Sequence, residues 1–389
     1  MRRFLTFIYF ICCSLALFCQ NGRNITYNLF AGYGYVAKTN DFMRGYNVDS
    51  TDIKSIKSFA FEVQKDVDGS KQWHHLYKNF HYGAGLFHGV FNYSKNIGNP
   101  WGLYAFMGFM PVSTEKWQFK TDIALGISGI WDGYSSENYY NIAVSTPVEC
   151  YIHARLSLLY NINDNWHAGL SGSFIHFSNG CIKRPNKGIN IITPSVNIAF
   201  NPEKTFKTDV FEKIPFIKNV QHLISVYDGI KGTYVGYDKF IDHYAKDTIR
   251  DTVRDVHMVF GVQYREMYSL SFTQNLGWGF DVSYNNVIDR TRGFNYIEPQ
   301  DNRKWTLNRM TVSAFASYEY CIDKFSVVLE PIFYLYKPQK VYFPRFSQRI
   351  ALRYQFCGGW FYQLGLRAYQ FTKADYLEGT VGYRFKYKM

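Results

Sequence analysis

A histidine and a serine lie two residues apart in the sequence, at His176 and Ser178, and together they could act as a base and a nucleophile. Residues two apart on a β-strand share one face. The segment 164–178 alternates apolar and polar residues, and this pair continues its apolar register, which includes Leu170 and Phe174. The apolar face of an alternating strand in a membrane barrel faces lipid. The spacing therefore predicts a base and a nucleophile that face lipid, as an enzyme that hydrolyses a lipid would require.

A neighbouring segment brings a third polar group to the same place. The segment 190–200 has its apolar face at alternate positions such as Ile192 and Val196, and Asn190 continues that face. If 164–178 and 190–200 are adjacent antiparallel strands, the three polar side chains project outward near the loop that joins them. A serine hydroxyl needs a base to attack an ester, and an imidazole base needs a third group to fix its tautomer.

The loop between these two segments could supply the other groups that ester hydrolysis needs. The developing oxyanion requires hydrogen-bond donors, which the backbone of Asn179 and Gly180 or the side chains of Asn179 and Asn186 could provide. Basic side chains could hold the phosphates or carboxylates of a lipid head group, and this loop contains Lys183, Arg184 and Lys187. The alternative is that the histidine and serine are ordinary interfacial residues of a barrel rim, each with a water partner.

The composition favours a membrane β-barrel as the scaffold for these residues. The chain has 389 residues, 19% of them aromatic, and a formal net charge of +12. After the first 20 residues no apolar run is long enough for a helical membrane span. A soluble β-sandwich or a pair of small soluble β-domains is the alternative fold. The positive net charge fits binding to an anionic outer leaflet better than binding to nucleic acid, so no nucleic-acid partner is expected.

Alternating segments recur along the whole chain, for example at 117–132, 306–320 and 376–388. They predict an all-β fold, a transmembrane antiparallel β-barrel of 12–16 strands, with 16 as the best count. The segments 55–65 and 218–230 have the weakest strand pattern. With both termini in the periplasm, the loop that follows the serine is extracellular. The site would then lie at the outer leaflet, where a Gram-negative bacterium keeps its lipopolysaccharide.

The N-terminus has the pattern of a secretory signal peptide, predicted over residues 1–19. Two arginines precede the apolar stretch 4–18, and cleavage is expected after Cys19. The mature chain, 20–389, is predicted to form one outer-membrane barrel. No cysteine or histidine cluster has the spacing of a metal site, so neither a metal nor a cofactor is expected.

The loop and its flanking strands resemble the PagL-type lipid A deacylase family, in the form called acyloxyacyl hydrolase in Bacteroidetes. The small members of that family are eight-stranded barrels, which would correspond to residues 24–200. Residues 201–389 resemble only the longer homologues and are expected to add further strands. The motif residues are His176, Ser178 and Asn179 for His-x-Ser-Asn, and Pro185, Asn186 and Gly188 for Pro-Asn-x-Gly.

The resemblance implies an outer-membrane serine esterase that removes an ester-linked acyl chain from lipid A of lipopolysaccharide, with Ser178 as nucleophile and His176 as base. The family places a glutamate where this chain has Asn190. An asparagine carbonyl can orient the imidazole but carries no charge, and asparagine in place of the aspartate of a serine protease triad costs about 10⁴ in rate. Asn190 therefore indicates a slower enzyme, an acid supplied from elsewhere, or a lost activity.

Two alternatives follow from the asparagine at position 190, where the family has a glutamate. Glu149 is the nearest acid, but it shares a face with polar residues that should point into the lumen. The chain could instead be a non-catalytic barrel, either a channel or a structural protein, because about sixteen strands can enclose a water-filled lumen.

Overall fold

The computed structural model of the protein describes residues 24–77, 79–202, 215–235, 253–286, 291–292, 296–297, 307–337, 344–371 and 373–388. The predicted signal peptide lies outside these residues. Within them, no helix is long and apolar enough to cross a membrane. The described helices are single 3₁₀ turns at Phe42–Arg44, Gln72–Leu76, Leu307–Arg309 and Cys357–Gly359.

The first half of the chain forms a closed barrel of eight antiparallel strands. Each strand pairs with the next one along the chain, and β1 pairs with β8, for example at Tyr27 and Phe200. The strands are β1 (Ile25–Val36), β2 (Ser55–Asp66), β3 (Phe80–Phe91), β4 (Gly98–Ser113), β5 (Trp117–Trp131), β6 (Val148–Asn161), β7 (Trp166–Ser178) and β8 (Ile189–Phe200).

The second half forms another barrel of eight long strands, closed because β9 pairs with both β18 and β10. Two short strands, β12 (Thr291–Arg292) and β13 (Tyr296–Ile297), extend the sheet at the end of β9. The long strands are β9 (Asn219–Val235), β10 (Val253–Ser269), β11 (Gln274–Asn285), β14 (Met310–Ile322), β15 (Phe325–Tyr336), β16 (Phe346–Gln355), β17 (Trp360–Tyr369) and β18 (Lys373–Lys388).

The predicted sixteen long strands are therefore present, but they close as two barrels of eight rather than as one barrel. The weak segment 55–65 falls within β2, and the weak segment 218–230 corresponds to the first part of β9, which begins at Asn219. Period-2 alternation indicates which face a residue occupies but not which distant strand completes the sheet. Here the edge of β8 is already paired with β1, so the second half has to close on itself. An eight-stranded barrel is just wide enough for side chains to fill.

Paired charges fill both lumens. In the first barrel, Arg155 is buried with its guanidinium 2.7 Å from Glu62 Oε2 and 2.9 Å from Asp122 Oδ2. In the second, Arg349 is buried with one Nη 2.9 Å from Asp281 Oδ2. Buried charges persist when each has a partner. These networks occupy the space that a single wide barrel would have left for water.

The outer walls carry the apolar side chains that the alternation predicted. Leu170 on β7 is 67% exposed, and Val226 on β9 is 58% exposed. Closed barrels leave no open sheet edge, and an apolar outer wall of this kind is the surface that such barrels present to lipid. Residues of one strand that share the register of these side chains therefore face the membrane.

The loops that join β1 to β2, β3 to β4 and β5 to β6 fold over one end of the first barrel as an apolar cap. Phe42, Ile53, Ile97 and Val144 from three different loops are fully buried in one cluster with lumenal side chains of the strands. Because the cap is packed, these loops are fixed elements on which side chains can be positioned accurately.

The two barrels contact each other at both ends. At the end that carries the apolar cap, the loop 179–188 of the first barrel packs against β9 and β18. At the opposite end, the long turn between β2 and β3 reaches the second barrel, where the Tyr77 hydroxyl donates to the Cys321 carbonyl. Tyr77 also packs with Phe80 and Ile322. This turn is longer than the β4–β5 and β6–β7 turns at the same end of the barrel.

Candidate active site

The register of β7 against its neighbours brings the predicted site residues together. His176 lies directly opposite Asn190 on β8, and Ser178 lies opposite Cys150 on β6. Counting along β7 places His176 and Ser178 on the outer face, because the intervening Phe177 is completely buried. The three polar residues form a cluster on the outer wall at the capped end of the barrel.

Apolar side chains surround this cluster on the membrane side. Phe174 on β7 is 46% exposed and Ile192 on β8 is 57% exposed, and each lies two residues from a member of the cluster along the outer face. Ile152 on β6 lies opposite His176. An acyl chain that reaches Ser178 from the membrane would therefore lie against an apolar wall below His176.

The hydrogen bonds within the cluster determine which imidazole nitrogen is basic. Nδ1 of His176 is 2.6 Å from Asn190 Oδ1, and Nε2 is 3.0 Å from Ser178 Oγ. The amide oxygen of Asn190 can only accept, so Nδ1 carries the proton and Nε2 presents its lone pair. The Ser178 hydroxyl then donates to Nε2, which is the arrangement that prepares a serine for nucleophilic attack.

The side chain of Asn179 holds the loop that follows the serine. Its Nδ2 donates to Ser145 Oγ at 3.0 Å and to the Lys183 carbonyl at 3.0 Å, and its Oδ1 accepts the Cys181 N–H at 3.0 Å. The side chain is buried and uses its donors and its acceptor within the protein. These hydrogen bonds support a positioning role for Asn179, because its Nδ2 group is engaged within the protein and not directed to an oxyanion.

Two other donors of the loop are available. Within the described part of the chain, no hydrogen bond uses the backbone N–H of Gly180. Asn186 accepts the Asn179 N–H through Oδ1 at 3.4 Å, which leaves its Nδ2 group pointing away from that bond. Both donors lie in the loop 179–188, which directly follows Ser178.

The three basic residues of the loop differ in their surroundings. Lys183 and Lys187 are exposed, and the backbone of Lys187 is fixed by a hydrogen bond from its N–H to the Ile142 carbonyl at 3.1 Å. Arg184 is half-buried, and its Nε donates to the Gly232 carbonyl of the second barrel at 3.4 Å. The two lysines are therefore open to an anionic ligand, whereas Arg184 contacts the second barrel.

Glu149 faces the lumen, as its place in the alternation predicted. Its Oε1 accepts the N–H of Thr146 at 3.1 Å and the Thr146 hydroxyl at 2.6 Å. Among the described residues, the groups that bond to the His176 ring are Asn190 and Ser178, and no carboxylate joins them. Residues 24–77, 79–202 and the other described ranges also contain no cluster of His, Cys, Asp and Glu that could hold a metal ion.

One neighbour of the nucleophile was not predicted from the sequence. Cys150 is a free cysteine on the outer face of β6, directly across from Ser178. The short turn between β6 and β7 sets this pairing, so counting residues outward from that turn would have found it. Cys150 forms part of the wall beside the serine.

Two family models match the chain. The model described as lipid A 3-O-deacylase (PagL) matches residues 57–199, and the model described as acyloxyacyl hydrolase, C-terminal domain, matches residues 226–387. The first match lies in the first barrel and includes the cluster around Ser178, and the second lies in the second barrel. Together the two models account for most of the chain.

Solved structures with a related strand arrangement are distant. The outer membrane enzyme PagL is 12% identical, with a TM-score of 0.27, over 45% of this chain and 99% of that chain. An outer membrane channel from Pseudomonas putida F1 is 9% identical, with a TM-score of 0.21, over 94% of this chain and 96% of that chain. Likenesses this weak do not indicate a shared activity. No curated protein matches the chain.

Proposed function

Because this chain belongs to the family of PagL-type lipid A deacylases and acyloxyacyl hydrolases, we propose that it hydrolyses an ester-linked acyl chain of lipid A with Ser178 as nucleophile. The protein is a β-barrel protein of the Gram-negative outer membrane. The observation that carries the proposal is the hydrogen-bonded series Ser178–His176–Asn190 on the lipid-facing wall. Lipid A lies in the outer leaflet, the leaflet that this end of the barrel reaches.

The reaction has two steps. In the first, Ser178 Oγ attacks the ester carbonyl carbon while Nε2 of His176 takes the hydroxyl proton. His176 then returns this proton to the oxygen of the leaving alcohol as the ester bond breaks, and an acyl-serine remains. In the second, water gives a proton to Nε2 and attacks the acyl-serine. His176 returns this proton to Ser178 Oγ as the acyl–oxygen bond breaks, which releases the fatty acid and restores Ser178 and His176.

Asn190 orients the base without supplying charge. Its Oδ1 holds the Nδ1–H of His176 and so keeps Nε2 free for the serine proton. The imidazolium that forms during attack is stabilised by a dipole rather than by a carboxylate. We therefore expect turnover to be slow compared with an enzyme that has an acid at this position.

The loop supplies the oxyanion donors and the head-group contacts. The Gly180 N–H and the Asn186 amide are the candidate donors to the oxyanion. Lys183 and Lys187 are exposed and would bind the phosphates of the lipid A head group by charge-assisted hydrogen bonds. The apolar wall below Ser178 would hold the acyl chain.

The competing function is a barrel without catalytic activity. The filled lumens oppose a channel, because Arg155 and Arg349 with their carboxylate partners occupy the two interiors. A structural protein would not need a serine and a histidine in hydrogen-bond contact on the lipid face, next to a loop with unused donors.

Mass spectrometry of lipid A from cells that express the wild type, Ser178→Ala or Ser173→Ala tests the proposal. Ser173 is a matched control because its Oγ is also bonded to a histidine, His153, at 3.2 Å, but this pair lies in the lumen. We expect loss of an acyl chain with the wild type and Ser173→Ala, and intact lipid A with Ser178→Ala. Identical lipid A in all three strains and in the empty-vector strain would refute hydrolysis.

A further inference from the structure

The extracellular loop of the first barrel is packed against the second barrel at the point where the oxyanion donors lie. We propose that the second barrel, through Gly232 and Leu377, holds the loop after Ser178 in its catalytic conformation. This inference rests on the proposed esterase function. It assigns the C-terminal barrel a role as a positioning element for a reaction that takes place on the wall of the N-terminal one.

The backbone just after the serine has a conformation that needs support. Gly180 has φ of +62° and Cys181 has φ of +75°, so two successive residues are left-handed. Glycine adopts this conformation readily, but a residue with a side chain does so only when its surroundings impose it. The peptide N–H of Gly180, a candidate oxyanion donor, belongs to this part of the chain.

The first barrel supports one side of this turn. Asn179 bonds to the Cys181 N–H and to Ser145 of the β5–β6 loop, as described above. Neither contact restrains the carbonyl of Cys181 or the Cα of Gly180. Those two groups face the second barrel.

The second barrel supports the other side through a glycine on β9. The Gly232 N–H donates to the Cys181 carbonyl at 2.7 Å, and the Gly232 carbonyl accepts from Arg184 at 3.4 Å. A Cβ atom on Gly232 would lie 2.7 Å from the Ile182 carbonyl oxygen and 2.9 Å from that of Cys181. The loop can approach β9 this closely only because residue 232 has no side chain.

A leucine on β18 makes the second contact. A Cβ atom built on Gly180 would lie 2.7–2.9 Å from the Leu377 side chain, so Leu377 packs directly on the Gly180 backbone. Leu377 pairs with Ile230 on β9, which places it beside Gly232 on the same outer face. The buried ion pair of Lys231 with Asp375 joins β9 to β18 on the lumenal side, where both side chains are 3% exposed. The surface that receives the loop is therefore rigid.

The test uses two substitutions in the second barrel, Gly232→Ala and Leu377→Ala, both outside the catalytic cluster. Gly379→Ala and Val381→Ala are the matched controls, since both residues lie on the outer face of β18 beyond the loop contact. A Cβ atom on Gly379 would come no closer than 3.3 Å to its neighbours. Two quantities are measured in the full-length protein: kcat and KM on lipopolysaccharide in detergent, and alkylation of Cys181.

Cys181 reports on the loop directly. Its side chain is 1% exposed in the contact with Gly232, whereas Cys357 is exposed and serves as the internal reference. Peptide mapping after treatment with a polar maleimide separates the two sites. Alkylation of Cys181 relative to Cys357 rises when the loop leaves the second barrel.

We expect both loop-contact variants to lower kcat about 10-fold or more with KM within twofold, because a misplaced oxyanion donor weakens the transition state and not the bound ester. Cys181 alkylation should rise several-fold in the same variants and remain at the wild-type level in the controls. Unchanged Cys181 alkylation overturns the inference, and so does a kcat that is maintained while Cys181 becomes reactive. A wild-type protein without turnover would refute the esterase function instead, and the Cys181 comparison would then decide alone whether the second barrel holds the loop.

Discussion

Asn190→Asp should make the protein a faster esterase, because it adds a charge without changing the shape of the third residue. Asparagine and aspartate place their side-chain oxygens alike, so the carboxylate would take up the 2.6 Å contact that Asn190 Oδ1 makes with Nδ1 of His176. During attack on the ester the imidazole becomes positively charged. A fixed negative charge beside it stabilises that transition state.

The magnitude follows from the distance and the exposure. Two unit charges about 4 Å apart attract by about 4 kcal/mol at an effective dielectric of 20 and by about 1 kcal/mol in water. Asn190 is half-buried at the membrane interface. A value between these two limits, about 2–3 kcal/mol of added transition-state stabilisation, corresponds to a rise in kcat of about 30- to 150-fold.

The assay is single-turnover release of fatty acid from lipopolysaccharide in detergent by the wild type, Asn190→Asp and Asn190→Ala. We expect fatty-acid release to be fastest for Asn190→Asp, slower for the wild type and slowest for Asn190→Ala, because alanine removes the acceptor that fixes the imidazole. Folding of each variant is checked by its heat-dependent mobility on gels. Equal rates for all three folded variants would refute the role of residue 190 in orienting His176.

Three further predictions concern the head-group contact and the two lumens. Lys183→Ala and Lys187→Ala should each raise KM about 5-fold at low salt and by a smaller factor at high salt, and kcat should not change. The control is Lys95→Ala, which removes a lysine that is paired with Asp49 and should leave KM unchanged. Arg349→Ala should lower the free energy of unfolding in detergent by about 3–5 kcal/mol, because each of three buried carboxylates loses an arginine partner. An unfolding midpoint equal to that of the wild type would contradict a stabilising role of this ion-pair network. Purified protein in planar bilayers should show no steady ion conductance, because side chains fill both eight-stranded lumens. Discrete conductance steps would instead support the alternative that the protein is a channel.

The placement of the candidate site residues could be predicted from the sequence because they are near one another in the chain. His176 and Ser178 share a face by their spacing alone, and Asn190 follows from the next alternating segment. The roles of the loop residues were less predictable. Asn179 has the chemistry of an oxyanion donor, but its hydrogen bonds to Ser145 and Cys181 make it a structural residue, and this depends on a loop more than thirty residues away in sequence.

The sequence by itself determined the strands, their lipid-facing and lumenal sides, and the outward direction of His176, Ser178 and Asn190, because alternation is a local property of an extended chain. Only the tertiary structure decided that sixteen strands close as two barrels, since β1 pairs with β8 across more than 150 residues. The same closure places Gly232 and Leu377 against the loop after the serine. Such contacts depend on which distant edges pair, and no local pattern in the chain encodes that choice.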